Sequence, residues 1–369
     1  MAADTAPDTA KVCDVLLLGS TGYVAQFFAH QAEREGLNVV YGSHTSGSSP
    51  TAAVLVDFLD PQSVKTALAG VAPRAVVNAA AMSSPRACQE NPKASEAINC
   101  PECLVHACLA MDQVPFLVHF STDQVFDGCS PPYSEGDSAK PVNTYATHKA
   151  KFDSYIKANY PKGKFCILRP TNILGPAAPS GGPTKFLQWL HSTLRATCGS
   201  PGGKAVQLFC DEYRNYVSVH DVVDSTIEVL ARGGIAGTAQ QSKTSAVSIA
   251  SQGGELITSL TTEKAASSYS GTMQYFPLEG VPAVLHVSGP RALTRVDVGQ
   301  AVFSVVKQEA KAAGSLCREE ADVIHPVPRA TVDIGYKSPL NLSMPPVLFR
   351  RLMQREPHSL EAILLEAFN

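Results

Sequence analysis

Tyr145-Ala-Thr-His-Lys149 sets a phenol and a primary amine four residues apart. On a helix, positions i and i+4 share one face, so the two groups would meet a ligand together. An ammonium beside a phenol lowers the phenol pKa toward neutrality, which makes a general acid and base. The same lysine can hold a ribose hydroxyl. A carbonyl to be reduced also needs a hydroxyl to orient it, and Ser121-Thr122-Asp123 closes an apolar run upstream. Gly19-Ser20-Thr21-Gly22-Tyr23-Val24-Ala25 supplies a third component. Its glycines let the main chain turn tightly and approach a pyrophosphate, with a helix N-terminus facing the anion.

These groups need a scaffold, and the first half of the chain alternates as one would. Apolar β-type runs fall at 12–19, 37–42, 53–57, 74–81, from 116, and at 165–169. Helical stretches are expected at 23–35, from Asp60-Pro61, at 95–111 with a bend at Pro101, and at 145–159. The strands are continuous rather than alternating in polarity, the mark of a parallel sheet buried on both faces. The fold class is therefore α/β, a doubly wound parallel Rossmann sheet with a smaller α/β substrate-binding lobe. The expected organisation is a loose tail at 1–11, an NAD(P)-binding Rossmann domain at 12–171, and a discontinuous lobe at 172–369. Residues 206–232 are expected to complete the Rossmann core, and Asp221 to cap a helix. Residues 233–272, mostly Gly, Ser, Thr and Ala, suit a surface insertion.

The chain has 369 residues, 44% hydrophobic and 17% charged, with a net charge of −3. That is enough to bury a core and too little positive charge for a nucleic-acid or anionic-membrane binder. No apolar run approaches the ~20 residues of a membrane span. The N-terminus has neither a signal-peptide core nor a transit-peptide pattern, so a cytoplasmic protein with ten free thiols is expected. Cys100 and Cys103 have CxxC spacing without a second pair. No metal-ligand constellation is found. His119 reads as a core histidine, His148 as a solvated one, and Trp189 as a packing residue.

Cofactor choice is set after the second strand, where an acid would favour NAD. Gly42-Ser43-His44-Thr45 has none, and its hydroxyls and imidazole accept a 2′-phosphate. NADP(H) is favoured, with NAD(H) left open.

The motifs together resemble the extended short-chain dehydrogenase/reductase family, and within it the dTDP-4-dehydrorhamnose reductase-like subgroup. The likeness rests on the Gly19-x-x-Gly22 loop, Asn78-Ala-Ala-Ala81, Asn99, and Ser121-Thr-Asp-Gln-Val-Phe-Asp-Gly128. It continues through Tyr133-x-Glu135-x-Asp137, Tyr145-x-x-x-Lys149, Leu168-Arg-Pro170, Arg214, His286-Val-Ser-Gly289 and 337–344. Ala25 in place of a third glycine, and the 233–272 insertion, depart from the pattern.

The resemblance implies that Thr122, Tyr145 and Lys149 carry hydride-transfer chemistry on a keto-sugar nucleotide. It implies that Asp57, Phe58, Asn78, Ala79, Ala80, Ala81, Ser121, Pro170 and Asn172 join the loop around the cofactor, with Asn99 behind them. Ser83, Asp123, Val125, Phe126, Asn172 and Arg214 would then face substrate, Arg214 through a phosphate. A second reading stays open. The regulatory β-subunit of methionine adenosyltransferase resembles the same subgroup, binds NADP and acts through a partner that its C-terminal tail enters. This chain also ends in an apolar segment, 362–368. A homodimer or an adenosyltransferase-like partner therefore stands beside the small-molecule substrate.

Overall fold

The computed structural model describes residues 13–44, 53–182, 185–200, 202–236 and 278–368. The expected 1–11 tail and nearly all of the 233–272 insertion lie outside them, as does Thr45. Seven parallel strands form the central sheet: β1 (Val15–Leu18), β2 (Val39–Ser43), β3 (Ala53–Leu55), β4 (Ala75–Asn78), β5 (Phe116–Phe120), β6 (Phe165–Pro170) and Val284–Val287. Their spatial order is β3-β2-β1-β4-β5-β6 and then Val284–Val287 at the far edge. The order reverses between β1 and β4, and ligands bind at the carboxyl ends of strands beside such a switch.

β1, β4, β5, β6 and Val284–Val287 are buried along their whole length because successive side chains feed opposite layers. Val15, Leu17, Val77 and Val118 pack with α1 (Tyr23–Arg34) on one face. Leu16, Leu18, Val76 and Leu117 pack on the other with α2 (Pro61–Val71), the helix Glu102–Leu109 and α6 (Thr144–Asn159). Asp60 caps α2 as expected, accepting a hydrogen bond from the Gln62 N–H at 3.0 Å, and Pro61 takes the first helical position.

Several local expectations change. The strand Val206–Phe209 does not complete the main sheet; it pairs with Ile324–Val327 in a separate two-stranded sheet. The seventh strand is Val284–Val287, registered on Ile167–Pro170 and buried along its whole length. The helix Val219–Arg232 does cover the main sheet, packing Val222, Val223 and Leu230 into the first layer. Its cap is Ser218, whose hydroxyl accepts from the His220 N–H; Asp221 is instead buried inside the first turn. The single bent helix expected over 95–111 is two, Pro92–Asn99 and Glu102–Leu109, since Pro101 cannot continue the ladder.

A second lobe packs the helices Phe186–Cys198 and Arg295–Ala312 over its own core. It includes a Cys198–Cys317 disulfide, so the expectation of ten free thiols fails for that pair; the other eight are free. Among the described residues no helix is long and apolar enough to cross a membrane.

Candidate active site

Gly19 follows β1 with φ +74°, and a Cβ there would lie 2.6 Å from the Ala80 Cα and N. Only glycine allows this approach of two strand ends. Gly22 donates its N–H to the Gly19 carbonyl at 2.9 Å and opens α1, which has no side-chain cap. The first-turn N–H groups are therefore left for an anion. A cavity of about 250 Å³ lies over this turn, bounded also by Ser43, His44, Asp57, Phe58 and 79–81. Its glycine floor, helix N-terminus and adjoining hydroxyls fit a dinucleotide. A larger cavity, about 670 Å³, sits at the opposite edge of the sheet beside Arg74 and Lys164, away from these groups.

Within the loop the roles divide. Ser20 is buried and donates to the Gly42 carbonyl, fixing the turn to β2. Thr21 is exposed, and its carbonyl accepts from Gln26. Tyr23 points away from the turn, its hydroxyl donating to the Pro176 carbonyl, and Val24 packs into the core. Asp57 turns its own segment, accepting from the Leu59 N–H at 2.9 Å.

β4 and β5 end next to this cavity and carry several of the expected site residues. Asn78 is fully buried, with Oδ1 accepting from the Ala80 N–H at 3.2 Å. Ser121 follows β5, and its buried hydroxyl has no protein partner. The Thr122 hydroxyl donates to Asp123 Oδ1 at 3.1 Å and accepts from the Gln124 N–H. Burial raises the Asp123 carboxyl pKa, and Arg214 pulls it back.

The helix α6 presents Tyr145 and Lys149 to the same place. Asn143 caps it, accepting from the Ala146 N–H at 2.9 Å and donating to the Lys337 carbonyl, so the helix start is pinned to the second lobe. Lys149 is 1% exposed. Burial pushes its pKa down from 10.5 to about 8, with Asp153 opposing. Burial also holds the Tyr145 phenol above its ordinary range; a Thr122 hydrogen bond opposes this and Asp123 adds to it. A near-neutral phenol was expected. The buried site reverses that direction, because desolvation of the phenolate and the nearby acidic groups outweigh the Thr122 hydrogen bond.

Other expected site residues lie elsewhere. Val125 and Phe126 are wholly buried, Phe126 stacked on Tyr133 at 4.3 Å, so they are core rather than substrate surface. Arg214 is 4% exposed and donates to the carbonyls of Tyr213, Pro339 and Leu340. Its guanidinium fastens the second lobe instead of standing open for a phosphate. Asn99 is held by the Met82 main chain, giving Nδ2 to its carbonyl and taking its N–H on Oδ1. Ser83 is exposed on the loop after β4, while Ser84 caps the next helix. Pro170 ends β6 and Asn172 opens the short strand beyond it. Trp189 is 43% exposed, its ring 6.0 Å from that of Phe186, so it lies outside the core. His148 is half-buried and hydrogen-bonded to the buried Ser95 hydroxyl at 2.8 Å.

The sequence alone misses His119. It is buried, 3.3 Å from Asn78 through Nδ1 and 3.3 Å from Lys149 through Nε2. One signal could have found it: it lies on β5 two residues before Ser121, at the spacing that sets side chains on one face of an extended run.

Residues 15–238 match the model of the NAD dependent epimerase/dehydratase family. Over 234 residues the chain is 30% identical to a protein of Haloferax volcanii named as a probable low-salt glycan biosynthesis reductase, covering 62% of this chain and 74% of that one. It is 32% identical over 122 residues to methionine adenosyltransferase 2 subunit beta of Danio rerio, 32% of this chain and 36% of that one. The fold superposes on dTDP-4-dehydrorhamnose reductase from Bacillus anthracis, solved with NADP. The TM-score is 0.67 at 15% identity, over 96% of this chain and 98% of that one.

Proposed function

The chain belongs to the NAD-dependent epimerase/dehydratase family and is an NAD(P)-dependent oxidoreductase of the extended short-chain dehydrogenase/reductase type; we propose that it reduces the keto group of a sugar nucleotide with NADPH. One observation carries this reading. Tyr145 and Lys149 lie buried on one helix beside Ser121 and Thr122, at the sheet edge that also holds the Gly19 turn.

The turn at 19–22 and the 79–81 segment would hold the dinucleotide, with Ser43 and His44 toward its adenosine end. When bound, that group supplies the hydride. The protein supplies the rest. The Tyr145 hydroxyl stays protonated across physiological pH, because burial disfavours the phenolate. It gives its proton to the carbonyl oxygen as negative charge builds there. Thr122 orients that oxygen once its hydroxyl proton turns from Asp123 to it, and the unpartnered Ser121 hydroxyl offers a further donor. Lys149 stands one turn behind as the proton reservoir. Ser83, on the exposed loop facing the same edge, is a candidate substrate contact.

The preference for NADPH rests on the absence of an acid at the end of β2, where Ser43 is buried and His44 exposed. The sugar-nucleotide substrate is supported by the reductase names among the relatives.

The test is purified full-length protein with a panel of 4-keto sugar nucleotides and either NADPH or NADH. Coenzyme oxidation with a reduced sugar as product is expected, faster with NADPH. No turnover with any sugar would sink the substrate reading, and equal rates with NADH would sink the coenzyme preference.

The regulatory reading has one observation behind it, the likeness to the methionine adenosyltransferase β-subunit. One observation weighs against tail insertion into a partner. The segment Leu360–Phe368 is a helix with Leu360, Ile363 and Leu364 buried in this chain's own second core.

A further inference from the structure

Four groups run in line from the dinucleotide turn to the active-site lysine: the Ala80 N–H, the Asn78 amide, the His119 imidazole and the Lys149 amine. The register of the sheet places Asn78 directly opposite His119. Their donors and acceptors can be counted. Asn78 Oδ1 is taken by the Ala80 N–H, so its NH2 faces His119. An amide NH2 has only hydrogens to offer, which makes Nδ1 the acceptor. A neutral imidazole then carries its proton on Nε2, aimed at Lys149 Nζ 3.3 Å away. An amine can accept that proton. An ammonium has no lone pair, and two donors would face each other. Every contact in the line is satisfied only when Lys149 is uncharged.

We propose that His119 is a positioning residue that makes the charge of Lys149 and the hydrogen bonding of the dinucleotide turn exclude one another. The inference rests on the reductase reading for its purpose, though not for its geometry. When Lys149 takes a proton, Nζ donates to Nε2, and His119 must carry its own proton on Nδ1. Asn78 must then turn its oxygen to His119 and give up the Ala80 N–H. Ala80 is the residue against which Gly19 packs, so a proton on the lysine is felt in the turn that holds the pyrophosphate.

The surroundings agree. His119 is buried against the Phe152 ring, at 4.7 Å edge to face, and burial followed by Lys149 holds it well below the usual imidazole range. Lys149 is faced by Asp153 on its own helix, one turn from Tyr145, by His119 on β5, and by Cys100, which ends the helix Pro92–Asn99. Asp123 and Cys88 face Tyr145 rather than the lysine. Cys100 is pushed up to about 12 by burial and stays a thiol. Asp153 is committed to Arg169 at 2.9 Å. Asp153 still favours the charged lysine through that pairing, so its carboxylate is the charge that His119 works against.

The experiment is NMR on the full-length protein with 15N-histidine and 13C-lysine, assigned with Lys149→Met. In the wild type, His119 should be the Nε2–H tautomer on the alkaline side and leave it as Lys149 gains its proton, near pH 8. The Ala80 amide should shift with the same midpoint. Asn78→Asp, whose carboxylate accepts from Nδ1–H, should lock the other tautomer and raise the Lys149 midpoint by about one pH unit. A His119 that keeps one tautomer while Lys149 titrates overturns the inference. If Asn78→Asp does not fold, the wild-type tautomer decides alone. None of these readings uses turnover. A coupled titration in an inactive protein refutes only the reductase reading; an uncoupled one in an active protein refutes only this inference.

Discussion

At the scale of single residues, Tyr145 and Lys149 bear opposite relations to burial. Burial keeps the phenol protonated and strips charge from the amine. Tyr145→Phe removes the proton to be delivered while keeping the ring. Turnover should fall by about 10²–10⁴-fold, the usual worth of a general acid, with NADPH affinity measured by fluorescence within a few-fold. Unchanged turnover would reassign the acid. For Lys149 the sign follows from linkage. Its folded pKa of about 8 is below the ordinary 10.5, so between those values the unfolded chain binds more protons. Stability therefore rises with pH across that window and is lost as pH falls through about 8. Lys149→Met should stabilise the protein at pH 7 by up to about 3 kcal/mol, an advantage that fades toward pH 10.5. Urea midpoints of the two proteins at both pH values test this, and a pH-independent difference would contradict it.

At the scale of elements, the turn after β1 and the cap of α6 place the site. Gly19→Ala must push on main chain, since the new Cβ would lie 2.6 Å from Ala80. The positive φ adds strain of about 1 kcal/mol. Dinucleotide binding by calorimetry should be lost, with the far-UV circular dichroism preserved; retained affinity would mean the turn can shift. Asn143→Ala removes the α6 cap and its tie to the Lys337 carbonyl. A cost of about 1–2 kcal/mol is expected. The midpoint should fall, and, on the proposed reading, KM should rise more than kcat falls, since the cap joins the helix to the second lobe.

At the scale of the whole molecule, the later segments are stitched onto the sheet by buried polar groups. Asn215 gives Nδ2 to the Gly289 carbonyl and takes the Met344 N–H. A Cβ at Gly289 would lie 1.8 Å from the Tyr216 carbonyl oxygen, so that glycine is a lobe joint and not a ligand residue. Asp221, fully buried, accepts from Arg355 at 2.6 Å and from the His358 main chain at 2.8 Å, fixing the approach to the C-terminal helix. Asp221→Ala removes that acceptor, while the part-exposed Arg355 keeps Asp224 and the Glu356 carbonyl, and should cost about 1–3 kcal/mol. A melting temperature within a degree of wild type would show that the tail is not anchored there.

The sequence by itself determined the fold class, the Gly19 turn and the Tyr145–Lys149 pair. Each is a local pattern: continuous apolar runs, glycines between strand and helix, and an i, i+4 spacing. It also marked Arg214, Asn99, Phe126 and 286–289 as significant without revealing why. Motif strength reports that a side chain matters; whether it faces a ligand or a joint depends on which distant segment meets it. Only the tertiary structure decided that Arg214 spends its donors on Pro339 and Leu340, and that Val284–Val287 closes the sheet. The same holds for His119. Strand register and depth of burial, both set by long-range pairing, turn an ordinary core histidine into the neighbour of Lys149.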